Sequence, residues 1–234
     1  MSINGPLCGF DLETTGVNVA TDRIVTACVG QCDPQGNWVP KTWLVNPGIP
    51  IPESATSVHG VTDEQAATGL PPEQALSEID SALQSYWAKG IPVTGFNVSY
   101  DLTLLDRELR RHLGRPLTIA GPVLDGLVLD KAVDKYRRGS RKLTSVCEHY
   151  GVALDNAHAA DADALAASLV TREIVNNHLA GFGLSDLHDR QVLWFKDQRR
   201  SFISYLARKG EVPSDTNTAW PVAPFDDSAQ EVAA

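Results

Sequence analysis

Residues 10–16, Phe-Asp-Leu-Glu-Thr-Thr-Gly, close an apolar run that begins near Pro6. If residues 6–13 form a strand, its period of two puts Asp11 and Glu13 on one face and the neighbouring apolar side chains on the other. Two carboxylates in so small a volume raise each other's pKa unless a cation neutralises them. Hard oxygen ligands suit Mg²⁺ or Mn²⁺. The stretch therefore predicts a strand that ends at a divalent-metal site.

The same stretch has an ordinary structural interpretation. Asp11 and Glu13 also fit the solvated face of a half-buried strand, because alternating strands are common in antiparallel sheets. Thr14, Thr15 and Gly16 follow at once and supply hydroxyls, backbone N–H groups and one conformationally free position. Such a turn suits the end of a nucleotide. The rest of the chain has to distinguish the two interpretations.

The length and composition indicate one main domain. The chain has 234 residues, of which 43% are hydrophobic, enough for one sizeable core and an extension. No apolar run reaches membrane-spanning length and the N-terminus lacks a secretory pattern, so we expect a cytoplasmic protein with no membrane partner. The cysteines include no C-x-x-C pair, and we interpret all four as reduced core thiols: Cys8, Cys28, Cys32 and Cys147.

The net charge of −9, from 29 acidic and 20 basic residues, argues against a protein that coats duplex DNA. It is compatible with an enzyme that handles one strand end, since bound cations and a local basic patch offset carboxylates there. One basic cluster, residues 137–142, stands out in this acidic chain. It fits either a solvated loop or a contact to phosphates.

The chain alternates between strand and helix patterns. Turn residues at 33–37 separate two β-rich runs, so we expect an antiparallel hairpin beside the first strand. Thr62 or Asp63 fits the N-cap of a short helix. Strands are predicted at residues 23–32, 38–45, 91–96 and 122–124, and helices at 72–89, 125–136, 143–150 and about 160–177.

A second acidic position follows the strand predicted at residues 91–96. Asn97 and Asp101 are four residues apart, so a strand-to-helix junction brings both to one side of the first helical turn. Ligand sites in open α/β sheets form beside strand ends, which makes this pair a candidate for a site. The alternative is structural, with Ser99 as an N-cap and Asp101 as an acid favoured by the helix dipole.

A third position opens the alanine-rich helix near residue 160. His158 lies five residues before Asp163, so both face one site if His158 occupies the loop before the helix. A neutral imidazole is suited to take a proton from water near pH 7. A single histidine before a helix is more often structural, and Asp161 is a rival for the acidic position.

Together the three positions resemble the DEDDh family of 3′–5′ exonucleases, whose members include proofreading subunits like epsilon of DNA polymerase III, RNase T-like enzymes and oligoribonucleases. The resemblance spans about residues 5–178 and includes Val58-His59-Gly60-Val61-Thr62. A sister subclass carries tyrosine four residues before the last aspartate, where this chain has Ala159. The histidine subclass is therefore favoured, and the spacing favours Asp163 over Asp161.

The resemblance implies a ribonuclease H-like α/β fold, with a mixed, mostly five-stranded sheet and helices on both faces. It implies hydrolysis of phosphodiester bonds from a 3′ end with two divalent cations, Mg²⁺ or Mn²⁺, and with His158 as general base. It assigns four acids to the metals, directly or through water: Asp11, Glu13, Asp101 and Asp163. It assigns four further residues to the terminal nucleotide or its pocket: Thr14, Thr15, His59 and Asn97.

The resemblance gives an exonuclease domain at residues 1–180 and leaves 181–234 as a C-terminal extension. Residues 184–209 have the pattern of one or two amphipathic helices docked on the domain. Within them Gln-Val-Leu-Trp-Phe, residues 191–195, faintly resembles the peptide with which bacterial replication proteins bind the sliding clamp. The continuous apolar stripe favours a core helix instead.

The last part of the chain is predicted to be irregular. From Glu211 onward it carries several prolines and ends in an acidic tail at residues 226–231, which we expect to be disordered. Trp220 and Phe225 are the residues suited to hold it on the surface.

Two classes of function stay open. The first is a metal-dependent 3′–5′ exonuclease that acts on DNA, in proofreading or repair, or that trims RNA 3′ ends, because discrimination of the 2′-hydroxyl depends on pocket geometry. The second is a non-catalytic module of the same fold that binds nucleic acid or a replication partner, such as a DNA polymerase or the clamp. A single-stranded or frayed end fits the acidic charge balance better than a blunt duplex.

Overall fold

The computed structural model describes residues 3–155, 157–213 and 215–225. Its sheet has five strands: β1 (Leu7–Thr14), β2 (Ile24–Cys32), β3 (Trp38–Leu44), β4 (Val93–Gly95) and β5 (Val123–Asp125). They lie in the order β3-β2-β1-β4-β5. The first three pair antiparallel, and β4 and β5 run parallel to β1. The predicted mixed five-stranded α/β fold is confirmed.

Helices cover both faces of the sheet. They are α1 (Glu53–His59), α2 (Asp63–Ala66), α3 (Pro72–Ala88), α4 (Val98–Leu113), α5 (Gly126–Val133), α6 (Leu143–Tyr150), α7 (Ala160–His178) and α8 (Leu184–Arg208). One hydrophobic cluster packs α3 and α4 against the sheet, and a second packs α5, α6 and α7 on the other side. At Gly9 a Cβ atom would lie 2.6 Å from the carbonyl oxygen of Ala164, so glycine lets α7 approach β1 closely.

The central strand β1 has a neighbour on each side. Its apolar side chains are buried, whereas Asp11 and Glu13 are partly exposed. Because β1, β4 and β5 are parallel, their carboxyl ends meet at one end of the sheet. Asn97, just beyond β4, and Asp125, the last residue of β5, lie at the same end as the two β1 acids.

Most predicted elements form where the sequence places them. The hairpin of β2 and β3 is antiparallel, and Thr62 begins α2 with a capping box. Two elements are shorter than predicted. The strand expected at residues 91–96 is confined to β4, because Asn97 turns into a left-handed conformation immediately afterwards. The helix expected over residues 125–136 ends at Val133, because the next residue leaves the helical conformation.

The basic cluster at residues 137–142 is divided between the interior and solvent. Arg137 and Arg141 bind the buried carboxylate of Asp130, with nitrogen–oxygen distances of 2.9 and 2.5 Å. The remaining basic side chains of the cluster are exposed. The two inward arginines therefore fasten the loop to α5, and neither a wholly solvated loop nor a purely phosphate-binding patch describes the cluster.

Helix α8 covers the outer edge of β5 with polar side chains. Gln191 is fully buried; its Oε1 accepts a hydrogen bond from the Asp125 N–H at 2.7 Å and its Nε2 donates to the Val123 carbonyl at 3.0 Å. Nδ1 of His188 accepts from the Val123 N–H at 3.1 Å. These bonds occupy backbone groups that a sixth strand would otherwise pair, so α8 terminates the sheet.

The segment that resembles a clamp-binding peptide, residues 191–195, lies inside this helix. Its glutamine is held in the contact with β5, and Leu193 is 63% exposed on the outer side of α8. The core-helix interpretation therefore describes this segment, because a peptide motif needs its glutamine accessible. The single helix α8 also accounts for the pattern of one or two helices at residues 184–209.

Beyond α8 the described chain forms no helix or strand, as predicted. Trp220 is buried beside His188, with ring centroids 5.1 Å apart. The Phe225 ring lies against the Arg107 guanidinium of α4 at 5.1 Å. Both aromatic residues thus hold this segment on the domain, and the acidic tail at residues 226–231 lies outside the described residues.

All four cysteines are buried and free, as predicted. Burial raises the pKa of the Cys28 thiol to about 12, so this thiol stays protonated. In the part of the chain that the structure describes, no helix combines the length and the apolar character needed to cross a bilayer.

The glutamine at the sheet edge provides a test of the fold. Gln191→Leu leaves the Asp125 N–H and the Val123 carbonyl buried without partners, which should lower the free energy of unfolding by about 2–4 kcal/mol. Urea denaturation measures this change. Gln198→Leu, on the same helix, removes one bond to the Val128 carbonyl at a partly exposed position and should cost under about 1 kcal/mol. Equal losses in the two variants would contradict the strand-replacing role of Gln191.

Candidate active site

Three carboxylates converge at the carboxyl end of β1. Asp11 and Glu13 project from the strand, and Asp163 comes from the first turn of α7. One oxygen of each lies within 4.8 Å of the others. Oδ2 of Asp163 accepts a hydrogen bond from the His158 N–H at 3.2 Å, while its Oδ1 is buried with no partner among the described residues.

The fourth predicted acid, Asp101, joins this group from a different direction. It is buried in the first turn of α4, and its Oδ1 accepts a hydrogen bond at 3.1 Å from the N–H of Leu12, between the two β1 acids. Its oxygens are outside the cluster of three whose oxygens lie within 4.8 Å. Asp101 therefore fastens α4 to the acidic end of β1, with its charge close to Asp11.

The acids disfavour each other's ionised forms. Burial raises the pKa of Asp11 well above its ordinary value, and Asp101, Glu13 and Asp163 add to the effect. Burial, followed by the charge of Asp163, raises the pKa of Glu13 to about 8. Burial also raises the pKa of Asp101 and of Asp163, although backbone N–H groups oppose it at both. Hard, crowded and incompletely bonded oxygens of this kind suit a divalent cation.

His158 lies in the loop before α7, beside this cluster in the chain. Its backbone is left-handed, with φ of 69°, and its side chain is exposed. Within the described residues its ring makes no hydrogen bond, so the imidazole is available to a ligand. The rival acid Asp161 is exposed and is not part of the converging carboxylates, whereas Asp163 is.

The two threonines after the acids have different surroundings. The Thr14 hydroxyl donates to the Gly16 carbonyl at 2.7 Å and lies 3.0 Å from the Tyr100 hydroxyl. Thr15 is buried, and its hydroxyl accepts from the Arg23 N–H at 3.0 Å. The Thr15 side chain is therefore engaged within the protein, and only Thr14 belongs to the network that faces α4.

His59 and Asn97 flank the acidic end of the sheet. Nδ1 of His59 accepts from the Val61 N–H at 3.1 Å, and its Nε2 is buried without a partner in the described part of the chain. Burial lowers the pKa of His59, with the backbone of Thr14 acting in the opposite direction. Asn97 is exposed at the start of α4 in a left-handed conformation with φ of 62°.

Two further residues support the site but were not predicted for it. Tyr100 donates to the Gly16 carbonyl at 2.5 Å, and burial raises its pKa to about 12. Asp125 caps α5 and accepts from the Asn97 N–H at 2.9 Å. The position of Asp125 directly after a predicted strand could have indicated this role, since the carboxyl ends of parallel strands lie together at one edge of the sheet.

A groove with a volume of about 1200 Å³ opens next to this end of the sheet. Its lining includes Asn97 and Tyr100, at the start of the helix that carries Asp101, and it continues between α5 and α8. The cleft therefore reaches the start of α4 and is large enough for an extended ligand, although the four acids are not among its lining residues.

Known proteins are similar to this chain over most of its length. A family model described as "Exonuclease" matches residues 8–171. DNA polymerase III PolC-type from Lacticaseibacillus paracasei is 28% identical over 182 residues, a match that covers 76% of this chain. The chain spans only 12% of the length of that relative.

The fold also occurs among solved structures. E. coli Exonuclease I in complex with a dT13 oligonucleotide has a TM-score of 0.63 at 19% identity, covering 86% of this chain and 46% of that chain. The zinc-ion-bound form of the E. coli ExoI–ssDNA complex has a TM-score of 0.63 at 18% identity, covering 86% and 45%. At such identities the likeness establishes a shared fold.

The raised pKa of Glu13 predicts how metal-free protein responds to pH. The folded state binds this proton more tightly than the unfolded state, whose ordinary pKa is 4.5, so stability falls as pH rises from there to about 8. In chelator, Glu13→Gln should therefore melt several degrees above wild type at pH 8 and close to it at pH 5. Added Mg²⁺ should raise the wild-type melting temperature most at pH 8, as calorimetry would show.

The matched control is Glu148→Gln, an exposed position on α6. It should melt like wild type at both pH values. A wild-type protein that gains stability relative to Glu13→Gln as pH rises would contradict the electrostatic account of the cluster.

Proposed function

We propose that this chain, which belongs to the exonuclease family, is a 3′–5′ exonuclease of the DEDDh type that removes nucleotides from single-stranded or frayed DNA ends with divalent cations. The observation that carries this proposal is the convergence of Asp11, Glu13 and Asp163 within 4.8 Å, beside Asp101. Acids on an ordinary protein surface are not crowded in this way. Several carboxylates held this close are favourable only when bound cations offset their negative charge.

In this proposal the acids hold two cations, Mg²⁺ or Mn²⁺. Four acids would hold them, directly or through water: Asp11, Glu13, Asp101 and Asp163. Bound cations would supply the charge that lowers the pKa of a water and stabilises the leaving oxygen of a phosphodiester. The buried, unpartnered Oδ1 of Asp163 and the raised pKa of Glu13 support this assignment.

His158 is the proposed general base. A neutral imidazole near pH 7 accepts the proton of the attacking water, and the exposed ring has no competing partner in the described residues. The bond from its backbone N–H to Asp163 keeps the loop against the acids while the side chain stays free to turn. The proton taken from water then passes to solvent through this exposed ring.

The terminal nucleotide is assigned to the groups around the end of β1. Asn97 and the Thr14 hydroxyl face it, and the buried, unpartnered Nε2 of His59 lies close to the same strand end. Thr15 shapes the turn that presents these groups, because its own hydroxyl is engaged with the Arg23 backbone. Tyr100 holds that turn from α4.

The proposed substrate is DNA, because the curated relatives are PolC-type DNA polymerases and the structural neighbours are exonucleases in complex with oligodeoxynucleotides. The same relatives support a DNA polymerase as a partner in proofreading or repair, and the cytoplasm as the location. RNA end trimming and binding without hydrolysis are the outcomes that would replace this proposal.

Hydrolysis of 3′-end ladders tests the proposal. Single-stranded DNA and RNA of one sequence are incubated with Mg²⁺, with Mn²⁺ or with chelator. We expect stepwise shortening of DNA from the 3′ end that chelator prevents. Asp11→Ala and Asp163→Ala should abolish it while the protein stays folded. His158→Ala should lose about 10²–10⁴-fold in rate with metal binding retained by calorimetric titration.

Asp161→Ala is the matched control, since this exposed acid lies two residues from Asp163 on the same helix. It should stay within a few-fold of wild type. Activity within a few-fold of wild type in all three site variants would refute the mechanism. Faster shortening of RNA than DNA would change the substrate, and binding without shortening under any metal would indicate a non-catalytic module.

A further inference from the structure

The groove that reaches the start of α4 is larger than the space of one nucleotide. Val17, Asn97 and Tyr100 line the end nearest the helix that carries Asp101. From there it runs between α5 and α8, where residues 194–202 form one wall. This wall lies outside residues 8–171, the part of the chain that the exonuclease family model covers.

The groove is basic although the chain is acidic. Its lining contains five basic side chains, Lys131, Lys135, Arg137, Arg141 and Arg199, and two acidic ones, Asp197 and Asp215. The net charge of the whole chain is −9. An excess of basic side chains in the groove of an acidic protein favours the binding of a polyanion there.

Two of these basic side chains, unlike the other three, have no salt-bridge partner among the described residues. Arg137 and Arg141 bind Asp130, and Arg199 binds Asp215. Within the described residues, Lys131 and Lys135 form no salt bridge. Lys131 lies on α5 and Lys135 lies two residues beyond its end. Both line the groove, where their ammonium groups are suited to contact phosphates of one strand.

The opposite wall offers an aromatic surface. Trp194 and Phe195 are partly buried and pack on the two hydrophobic clusters. Phe202, two turns further along α8, lines the groove and is 49% exposed. An aromatic side chain exposed in a basic groove is the arrangement on which unpaired bases stack.

We propose that the groove between α5 and α8 binds the single DNA strand that leads to the active site. Lys131 and Lys135 contact its phosphates, and Phe202 stacks on a base several nucleotides from the 3′ end. The helix α8, outside the family-matched part, thereby selects unpaired strands. The direction of the strand rests on the proposed function; the presence of a single-strand site does not.

Binding measured without hydrolysis separates the two proposals. Fluorescence anisotropy of 5′-labelled dT15 and dT3 is recorded with Asp11→Asn protein and Mg²⁺. Adding Phe202→Ala should weaken dT15 binding about tenfold, as expected for one lost stacking contact, and leave dT3 binding unchanged. Adding Lys135→Ala should reduce the salt slope of dT15 binding by about 0.7, the value for one phosphate contact on a single strand.

Two variants at residues that do not line the groove serve as controls. Tyr205→Ala removes an aromatic ring of similar exposure, 44%, one turn beyond Phe202 on the same helix, and Lys89→Ala removes an exposed lysine after α3. Both should bind dT15 like the parent protein. Equal affinity for dT15 in Phe202→Ala and its parent, or equal losses in Phe202→Ala and Tyr205→Ala, would overturn the proposal that the groove binds single-stranded DNA. Wild type that binds dT15 but never shortens it would refute only the proposed function.

Discussion

Repulsion between carboxylates at the end of β1 is the constraint on which the architecture depends. Burial and the charges of neighbouring acids raise the pKa of Asp11 and Glu13, so holding the ionised acids together costs folding free energy. Backbone hydrogen bonds hold two of the acids in place: the Leu12 N–H donates to Asp101, and the His158 N–H donates to Asp163. The missing side chain of Gly9 lets α7 lie close enough to β1 to complete the set.

The helix beyond the family-matched residues takes part in this construction. Gln191 binds one N–H and one carbonyl of the last parallel strand, and the side chain of Asp125, at the end of that strand, accepts a hydrogen bond from the Asn97 N–H. Asn97 in turn begins the helix that carries Asp101. The boundary at residue 180 is a prediction from sequence resemblance; in space, α8 completes the sheet edge and forms a wall of the groove.

The sequence predicted those features that depend on short-range pattern. Period-two alternation located β1 and its two acids, and spacing separated Asp163 from Asp161. It did not predict the role of Gln191, because a single polar residue in an apolar helical stripe does not indicate which strand it will contact. The engagement of Thr15 with Arg23, and of Arg137 with Asp130, likewise depends on contacts between elements that no local pattern records.

The polar cover that α8 places over β5 has a consequence for how the molecule behaves in a crowded solution. A sheet with both edges open can recruit strands from other chains and grow into aggregates. Here one edge is closed by side chains that imitate a neighbouring strand, so growth is confined to β3. That strand carries Pro40, which lacks a backbone N–H donor. The two edges of the sheet are therefore protected from pairing with other chains in different ways. Side chains of α8 cover the β5 edge, and the residue composition of β3 disfavours pairing at the other.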